Sequence, residues 1–353
     1  MVRSDPSLPV LVLLLLGTGL LTLSSAASEG EFVRQVGFLG VSVFVVAGVL
    51  WAGKRRIQRF APHLYLASLA MLVAVKAFGP VINGAQRWLV LGPLPAFQPS
   101  ELAKLGLILT LAAVLHDRPI RSLTGYLRPL ALMIPPFVLV LIGPDLGGAL
   151  VIAAIGAGML LVRGLPWRHV AVAVAIVAVA FPGAIWPNLE PHQQQRVASF
   201  LNPTADPQGA GYQVIQSTIA IGSGGLTGKG WKQGTQAQLG FIPFHHTDFI
   251  FPVLAEEGGF LAAVVLLALF GALFWRLVAM ASECPYEKDQ FVIMGVLSLL
   301  AFQVVVNVGV TLGLAPVTGV TLPLVSYGGT SLLSTLTALA IVFVTYRDRY
   351  ADW

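Results

Sequence analysis

Charge and cysteine are both scarce in this 353-residue chain. Charged residues make up 10% of it and hydrophobic residues 56%, whereas soluble domains carry about 25% charged residues. This balance excludes a soluble globular protein and predicts one that crosses a membrane several times. The single cysteine, Cys284, excludes an intramolecular disulfide and any cysteine-based metal cluster.

Ten apolar segments are predicted to span a bilayer, each near the roughly 20 residues that a membrane helix needs. They cover about 8–27, 34–52, 61–80, 99–115, 129–143, 146–162, 168–187, 249–277, 290–313 and 329–346. The predicted fold class is therefore an all-α polytopic membrane protein, with one transmembrane domain over residues 1–353. The first segment is too long for the apolar part of a cleaved signal peptide, and nine more spans follow it.

Basic residues predict the orientation, because they collect in cytoplasmic loops. The net charge of +5 is read in this way and not as a sign of nucleic-acid binding. On the side predicted to be cytoplasmic lie Lys54, Arg55, Arg56, Arg59, Arg118, Arg121, Arg128, Arg163, Arg168, Arg347 and Arg349. Both termini are then cytoplasmic, and a large extracytoplasmic loop at about 188–248 joins the seventh and eighth spans.

Acidic and basic residues near the outer ends of the spans are candidates for function, because charges at membrane depth are costly unless they are paired or line a wet cavity. Asp248 directly precedes the apolar run of the eighth span. Glu101 and Lys104 share one face of the fourth span, since they are three residues apart. Asp145 stands at a Gly-Pro break between the fifth and sixth spans, and Lys76 lies near the outer end of the third. Charges at one depth predict a polar cavity, although a buried ion pair that only joins helices explains Glu101 and Lys104 equally well.

The long outer loop is rich in glutamine, glycine and aromatic residues, which suit the binding of sugars and phosphates. Two of its patterns are rejected as sites. Gly222–Gly230 resembles a phosphate-binding P-loop, but Ser223 and Gly230 break the pattern. His245 and His246 are adjacent, and no further ligands are spaced to form a zinc site with them, so no metal site is predicted.

Several motifs together carry a resemblance to a known family. They are Asn83-Gly-Ala-Gln-Arg-Trp, Phe97-Gln-Pro-Ser-Glu-Leu-Ala-Lys104, Phe200-Leu-Asn-Pro203, Gly211-Tyr-Gln-Val-Ile-Gln-Ser217, His246-Thr-Asp-Phe-Ile-Phe251 and Pro323-Leu-Val-Ser-Tyr-Gly-Gly-Thr330. They resemble the shape, elongation, division and sporulation (SEDS) family, in family order from about residue 80 to 330. Asp206-Pro207 and Pro316-Val-Thr-Gly319 are most like the elongation member, RodA, whereas division members usually have a lysine near Thr318.

The resemblance implies a peptidoglycan glycosyltransferase of the bacterial cytoplasmic membrane, which polymerises lipid II into a lipid-linked glycan strand on the outer face during elongation. Asp248 matches the family's catalytic carboxylate, Glu101 and Lys104 its paired charges, and Asp145 an acidic position. The implied partner is a class B penicillin-binding protein, with Gly258, Gly259, Ala262 and Ala263 as a predicted contact, because membrane helices associate through small residues.

Chemistry agrees with one catalytic carboxylate. A pyrophosphate leaves without much protonation, so one general base on the acceptor hydroxyl suffices, and Asp248 is the predicted base for an inverting, β-1,4-forming reaction. Candidate substrate contacts on the outer side are Arg87, Arg196, Gln213, Gln216, Lys229 and Lys232. No cofactor is predicted, and a divalent cation at the pyrophosphate stays open. A lipid II flippase, with Glu101, Lys104 and Asp145 as a polar path, and a non-catalytic scaffold remain the alternatives.

Overall fold

The computed structural model of the protein describes residues 5–81, 86–90, 96–117, 123–180, 182–183, 186–188, 191–202 and 210–351. This part of the chain is helical, and its β-type pairing is an isolated bridge between Leu89 and Phe97. The α-helices are α1 (Ser7–Ala26), α2 (Glu29–Phe78), α3 (Pro99–Asp117), α4 (Leu127–Ile142), α5 (Leu146–Val162), α6 (Trp167–Ala180), α7 (Pro191–Leu201), α8 (Ala210–Ser223), α9 (Thr235–Gln238), α10 (Ile250–Ser282), α11 (Glu287–Thr311) and α12 (Gly329–Arg347).

Each predicted span overlaps one of these helices, so the fold class is confirmed. Helices α1, α2, α3, α10, α11 and α12 are long and apolar enough to cross a bilayer, and α4, α5 and α6 are shorter apolar helices. Helix α2 contains two predicted spans in 50 residues and breaks at Gly53, where φ is 72°. Glycine tolerates this conformation because it has no Cβ. The basic residues between Lys54 and Arg59, predicted to lie in a cytoplasmic loop, are helical instead, since the second half of α2 begins directly after Gly53.

Helix α11 lies at the centre of the helix packing and contacts α3, α5, α10 and α12. Its Val292 and Ile293 are fully buried, as are Ile152 of α5 and Leu266 of α10. On the outside of the bundle the pattern reverses, and large apolar side chains such as Phe44 and Trp275 are exposed. A broad apolar exterior fits a protein whose surrounding solvent is lipid.

The segment predicted as a long outer loop is partly folded onto the membrane helices. It contains α7, α8 and α9, and α8 packs against α10 and α11. The hydroxyl of Ser217, fully buried on α8, donates a hydrogen bond to the carbonyl of Thr311 at 2.6 Å. Hydropathy alone missed these helices because α7 and α8 are short and mix polar with apolar residues.

A break in α10 explains the glycine-rich stretch that resembles a P-loop. Gly259 has a φ of 70° inside the helix, and the backbone of residues 225–230 fills the break. The amides of Lys229 and Gly230 donate to the carbonyls of Glu256 and Glu257 at 3.0 Å, while the amide of Phe260 donates to the carbonyl of Gly225 at 2.8 Å. These amides therefore satisfy a helix and not a phosphate.

The break also bears on the predicted partner contact. Gly259 and Ala263 are buried within the chain, and a Cβ on Gly259 would collide with the backbone of Leu226 and Gly228. The small residues at this point therefore accommodate the protein's own 225–230 segment. The predicted placement of a partner on Gly259 is corrected for this reason.

Candidate functional site

Asp248 lies in a turn immediately before α10. Its side chain is half-buried, and it borders the segment between α11 and α12. A Cβ added to Gly319, whose φ is +76°, would lie 3.9 Å from Oδ2 of Asp248. The backbone at Gly319 thus forms one wall of the carboxylate's environment.

Arg87 and Asp145 form an ion pair beside this position. The Nη1 of Arg87 is 3.5 Å from Oδ1 of Asp145, and its Nη2 donates to the carbonyl of Pro144. Asp145 caps the N-terminus of α5, because its Oδ1 accepts a hydrogen bond from the amide of Gly148 at 2.9 Å. Gln98 donates to the other carboxylate oxygen at 3.3 Å. Asp145 is therefore fully engaged.

Arg196 reaches the same region from α7. Its Nη1 donates to the carbonyl of Val317 at 3.3 Å, two residues before Gly319. Arg196 and Arg87 both act electrostatically on Asp248, and so does Asp145. The structure thus brings four predicted site residues into one charged cluster. They are Arg196 of α7, Arg87 in the segment that leads to α3, Asp145 just before α5 and Asp248 just before α10.

Burial raises the pKa of the Asp248 carboxyl to about 6. The dense surroundings remove water from the carboxylate although its surface is only half-buried, and desolvation disfavours the charged form. Arg196 and Arg87 oppose this rise in pKa, and Asp145 adds to it. The outcome is a carboxyl that is ionised at neutral pH and still basic enough to accept a proton.

Glu101 and Lys104 form the predicted ion pair near the start of α3. The Nζ of Lys104 is 2.7 Å from Oε1 of Glu101, and both side chains are buried. Ser334 of α12 donates to Oε2 of Glu101 at 2.5 Å. Both oxygens of Glu101 are therefore bound, and the pair joins α3 to α12.

The contacts of these carboxylates differ in a way that matters for chemistry. Both oxygens of Glu101 and of Asp145 accept hydrogen bonds. Among the described residues, none donates a hydrogen bond to the side chain of Asp248. Asp248 is thus the carboxylate of this group that is available to a substrate proton.

The remaining predicted contacts lie in other surroundings. Gln213 and Gln216 are half-buried on α8. The Nζ of Lys229 binds Oε1 of Glu256 at 2.5 Å, and Glu256 is fully buried. Lys232 is exposed and lies over the ring of Trp231 at 4.8 Å. Lys229 and Lys232 therefore have partners outside the Asp248 cluster.

The two adjacent histidines are also accounted for without a metal. The Nδ1 of His245 lies 2.9 Å from the carbonyl of Ile242, and the Nε2 of His246 lies 3.4 Å from Oε1 of Glu31. Burial lowers the pKa of His246, and Glu31 opposes this change. Within the described residues, no group of three or more histidine, cysteine, aspartate or glutamate side chains is placed to hold a metal ion.

Sequence reasoning missed Gln98, Glu256 and Asn307. Gln98 binds Asp145, Glu256 binds Lys229, and Asn307 binds the backbone of Asp248. The signal for Glu256 and Asn307 was present, because a polar residue inside an apolar span needs a partner. Parts of three family motifs, at 83–85, 203 and 206–207, lie outside the described residues.

A cleft of about 310 Å³, including its open mouth, lies against the Arg87–Asp145 pair. Its walls combine the apolar side chains of Leu72, Val75 and Leu139 with the charged groups of Lys76, Arg87 and Asp145. Such a mixture suits a ligand that has both a hydrocarbon and an anionic part.

These features define a polytopic membrane protein with a carboxylate–arginine site at one end of its helix bundle. The chain belongs to the FtsW/RodA/SpoVE family, described as cell cycle proteins, whose model matches residues 7–350. The resemblance inferred from the motifs is thereby confirmed.

Particular relatives agree with this membership. The chain is 40% identical over 351 residues to the peptidoglycan glycosyltransferase MrdB of Escherichia coli, covering 99% of this chain and 95% of that protein. A solved peptidoglycan synthase complex, described as coordinating polymerization and crosslinking, contains a chain that is 46% identical, with a TM-score of 0.87 and 99% of both chains covered. RodA, the rod shape determining protein of Thermus thermophilus, is 40% identical with a TM-score of 0.77 and 99% of both chains covered, and was also solved with one aspartate replaced by alanine.

Proposed function

We propose that this protein is a peptidoglycan glycosyltransferase that polymerises lipid II on the outer face of the bacterial cytoplasmic membrane, with Asp248 as general base. The observation that carries the proposal is the state of Asp248, whose carboxyl has a pKa raised to about 6 and two arginines within electrostatic reach. Relatives that match nearly the whole chain are named for this activity. The similarity of this chain to RodA, a rod shape determining protein, supports a role in cell elongation.

The reaction requires a general base for the acceptor hydroxyl and cationic groups that bind the departing pyrophosphate. Asp248 takes the proton of the acceptor sugar's hydroxyl while that oxygen attacks the anomeric carbon of the donor. The bond from that carbon to the pyrophosphate breaks, and the undecaprenyl pyrophosphate leaves with the electron pair. Attack from the opposite face converts an α-linked donor to a β-1,4 product, which is the inverting outcome.

Arg87 and Arg196 are the proposed contacts of the pyrophosphate. Both act on Asp248 electrostatically, so a substrate anion near them also lies close to the base. Guanidinium groups bind phosphate oxygens through paired, charge-assisted hydrogen bonds. The cleft beside Arg87 would hold part of the lipid chain against its apolar lining.

The proposed partner is a class B penicillin-binding protein, which would crosslink the lipid-linked glycan strand as it forms. Support comes from the similar chain in the solved synthase complex. Both termini are proposed to be cytoplasmic, which directs the Asp248 cluster to the side where lipid-linked precursors are polymerised.

Replacing Asp248 by asparagine tests the proposal. The amide keeps the volume of the side chain but removes its basicity, and a positioned base contributes roughly 10²–10⁴-fold to a rate. Purified protein with its transpeptidase partner and lipid II in detergent should form glycan strands, and Asp248→Asn should lower the initial rate by about that factor. Strand length on gels and release of undecaprenyl pyrophosphate are the readouts.

Glu287→Gln is the matched control, because it removes an exposed carboxylate at the first turn of α11. It should polymerise at the normal rate. A normal rate in Asp248→Asn would refute the assignment of the base. If the unaltered protein made no strands in detergent, where no leaflets exist to cross, the flippase would become the better explanation.

A further inference from the structure

Three successive backbone carbonyls around Asp248 are each bound by a donor from α11 or from the segment before α12. The amide of Tyr327 donates to the carbonyl of His246 at 2.8 Å. The hydroxyl of Ser326 donates to the carbonyl of Thr247 at 2.6 Å. The side-chain amide of Asn307 donates to the carbonyl of Asp248 itself at 2.9 Å.

Asn307 binds two backbone segments that lie next to the Asp248 carboxylate. Its Nδ2 also donates to the carbonyl of Val320 at 2.8 Å, so both amide hydrogens are used. Val320 follows Gly319, the residue that borders Oδ2 of Asp248. The Asn307 side chain therefore fixes the backbone of Asp248 relative to the backbone of residues 319–320, which borders the carboxylate.

The position of Asn307 is costly for a membrane helix. Its side chain is 1% exposed, and its Oδ1 has no hydrogen-bond partner within the described residues. A buried polar atom without a partner destabilises a fold. A residue that served packing alone would not need an amide here, whereas a residue that holds two backbone carbonyls does.

Ser326 holds the neighbouring carbonyl from a constrained turn. Its Oγ accepts a hydrogen bond from the amide of Leu322 at 2.9 Å while it donates to Thr247. Leu324, within the same turn, has a φ of 65°, which is unusual for a residue other than glycine. The turn that presents Ser326 is thus held in an unfavourable conformation at the point where it contacts the Asp248 segment.

We propose that Asn307, assisted by Ser326, is the positioning residue of the glycosyltransferase: it sets the depth and direction of the Asp248 carboxylate by holding the backbone of residues 247 and 248. Neither side chain touches substrate in this role. The inference rests on the proposed function, because it assigns a task to residues that act through the proposed base.

The test replaces Asn307 by leucine, which removes both donors at similar volume. A displacement of about 1 Å costs on the order of 100-fold in rate, so kcat for strand synthesis should fall about 10- to 100-fold with KM changed less than about two-fold. The low-pH limb of kcat/KM, which reports the free protein, should move down from about 6, because a displaced carboxylate regains water.

Gln303→Leu is the matched control. Gln303 is a buried amide one turn earlier on the same helix, and it also has an oxygen without a partner among the described residues. Its replacement should leave both kcat and the pH limb unchanged. An equal loss in Gln303→Leu would mean that any lost amide on α11 damages the protein, and would overturn the specific role of Asn307.

Two further variants separate positioning from folding. If Asn307→Leu does not fold, Ser326→Ala carries the test: it should lower kcat, while Ser326→Thr, which keeps the hydroxyl, should restore it. In an Asp248→Asn background neither change should reduce the residual rate further, because the base is already absent. A full additional loss in that background would overturn the proposal.

The failure of the positioning role is distinguishable from the failure of the proposed function. Normal kcat and an unmoved pH limb in Asn307→Leu and Ser326→Ala, with Asp248→Asn inactive, would refute the positioning role alone. A normal rate in Asp248→Asn would refute the base, and with it any residue proposed to position it.

Discussion

At the scale of single residues, carboxylates with similar sequence contexts have different chemistry because their partners differ. Glu101 is neutralised by Lys104 and bound by Ser334, so it joins helices. Asp145 caps α5 and pairs with Arg87. Asp248 is desolvated, and Arg196 and Arg87 lower its pKa through Coulombic interactions and not through hydrogen bonds. Asp248 can act as a base because no donor among the described residues binds its carboxylate and because its surroundings desolvate it.

Arg196 and Asp145 shift the pKa of Asp248 in opposite directions, so replacing them should shift the pH dependence of the rate in opposite directions. The base must be ionised, so the rate should fall about tenfold per pH unit below the raised pKa, which is about 6. Arg196 lowers the pKa of Asp248, so Arg196→Gln should move this limb of kcat/KM to higher pH. Asp145 raises it, so Asp145→Asn should move the limb to lower pH.

The measurement is kcat/KM from pH 4.5 to about 8, with each profile normalised to its plateau so that lost substrate binding does not hide the shift. Glu287→Gln again serves as the control, since its carboxylate pairs with Arg163 in another part of the fold. Shifts in the same direction for both variants would show that Asp248 is not the group that titrates.

The charged members of the site could be predicted from the sequence, whereas the partners of its neutral members could not. Asp248, Asp145 and Arg87 stand out because charges are rare in this chain. Asn307 and Gln98 act through their side-chain amide hydrogens, and Asp248 and Asp145, which they bind, are distant along the chain. Lys229 illustrates the opposite error: the sequence shows a cation on the outer side, but only the fold shows that Glu256 neutralises it.

At the scale of elements, the break in α10 is the feature that distinguishes this protein from a simple bundle of spans. Hydropathy predicts one continuous helix there, because the apolar run does not stop at Gly259. The break depends on hydrogen bonds to residues 225–230, which lie far away in the sequence. Long-range backbone pairing of this kind leaves no local pattern, so the span was predictable and its interruption was not.

Two glycines of α10 provide a matched pair that tests the break. Gly259→Ala should destabilise the protein by about 1–3 kcal/mol or more, because alanine is strained at positive φ and its Cβ would meet the backbone of Leu226 and Gly228. Gly271 is helical with open space around it, so Gly271→Ala should be neutral or stabilise by up to about 1 kcal/mol. Thermal unfolding in detergent measures both, and equal midpoints would argue against a required break.

At the scale of the whole molecule, the two ends of the bundle have different characters. One end holds Asp248, Arg196 and the Arg87–Asp145 pair. At the other end, ion pairs join segments that are distant in sequence: Arg276 pairs with Asp5, and Lys54 pairs with Asp289 at 2.9 Å. The sequence predicts Lys54 to be a loop charge, but it is buried because the break at Gly53 turns it towards α11.

The ends of α10 offer a direct test of orientation. Leu239, shortly before α10, and Ser282, at its last residue, are both exposed. In intact spheroplasts, Leu239→Cys should react with a membrane-impermeant maleimide, and Ser282→Cys should react only after permeabilisation. The native Cys284 should stay silent, because it is buried and burial raises the pKa of its thiol to about 12, which leaves little of the reactive thiolate.

A Cys284→Ser background provides the control for any residual labelling. The positive-inside pattern predicts this orientation, since the basic residues around Arg56 and Arg168 are directed to the end of the bundle where Ser282 lies. The reverse labelling pattern would put Asp248 and both arginines in the cytoplasm. The site would then be cut off from precursors on the outer leaflet, and the proposed polymerisation on that face could not be the activity of this protein.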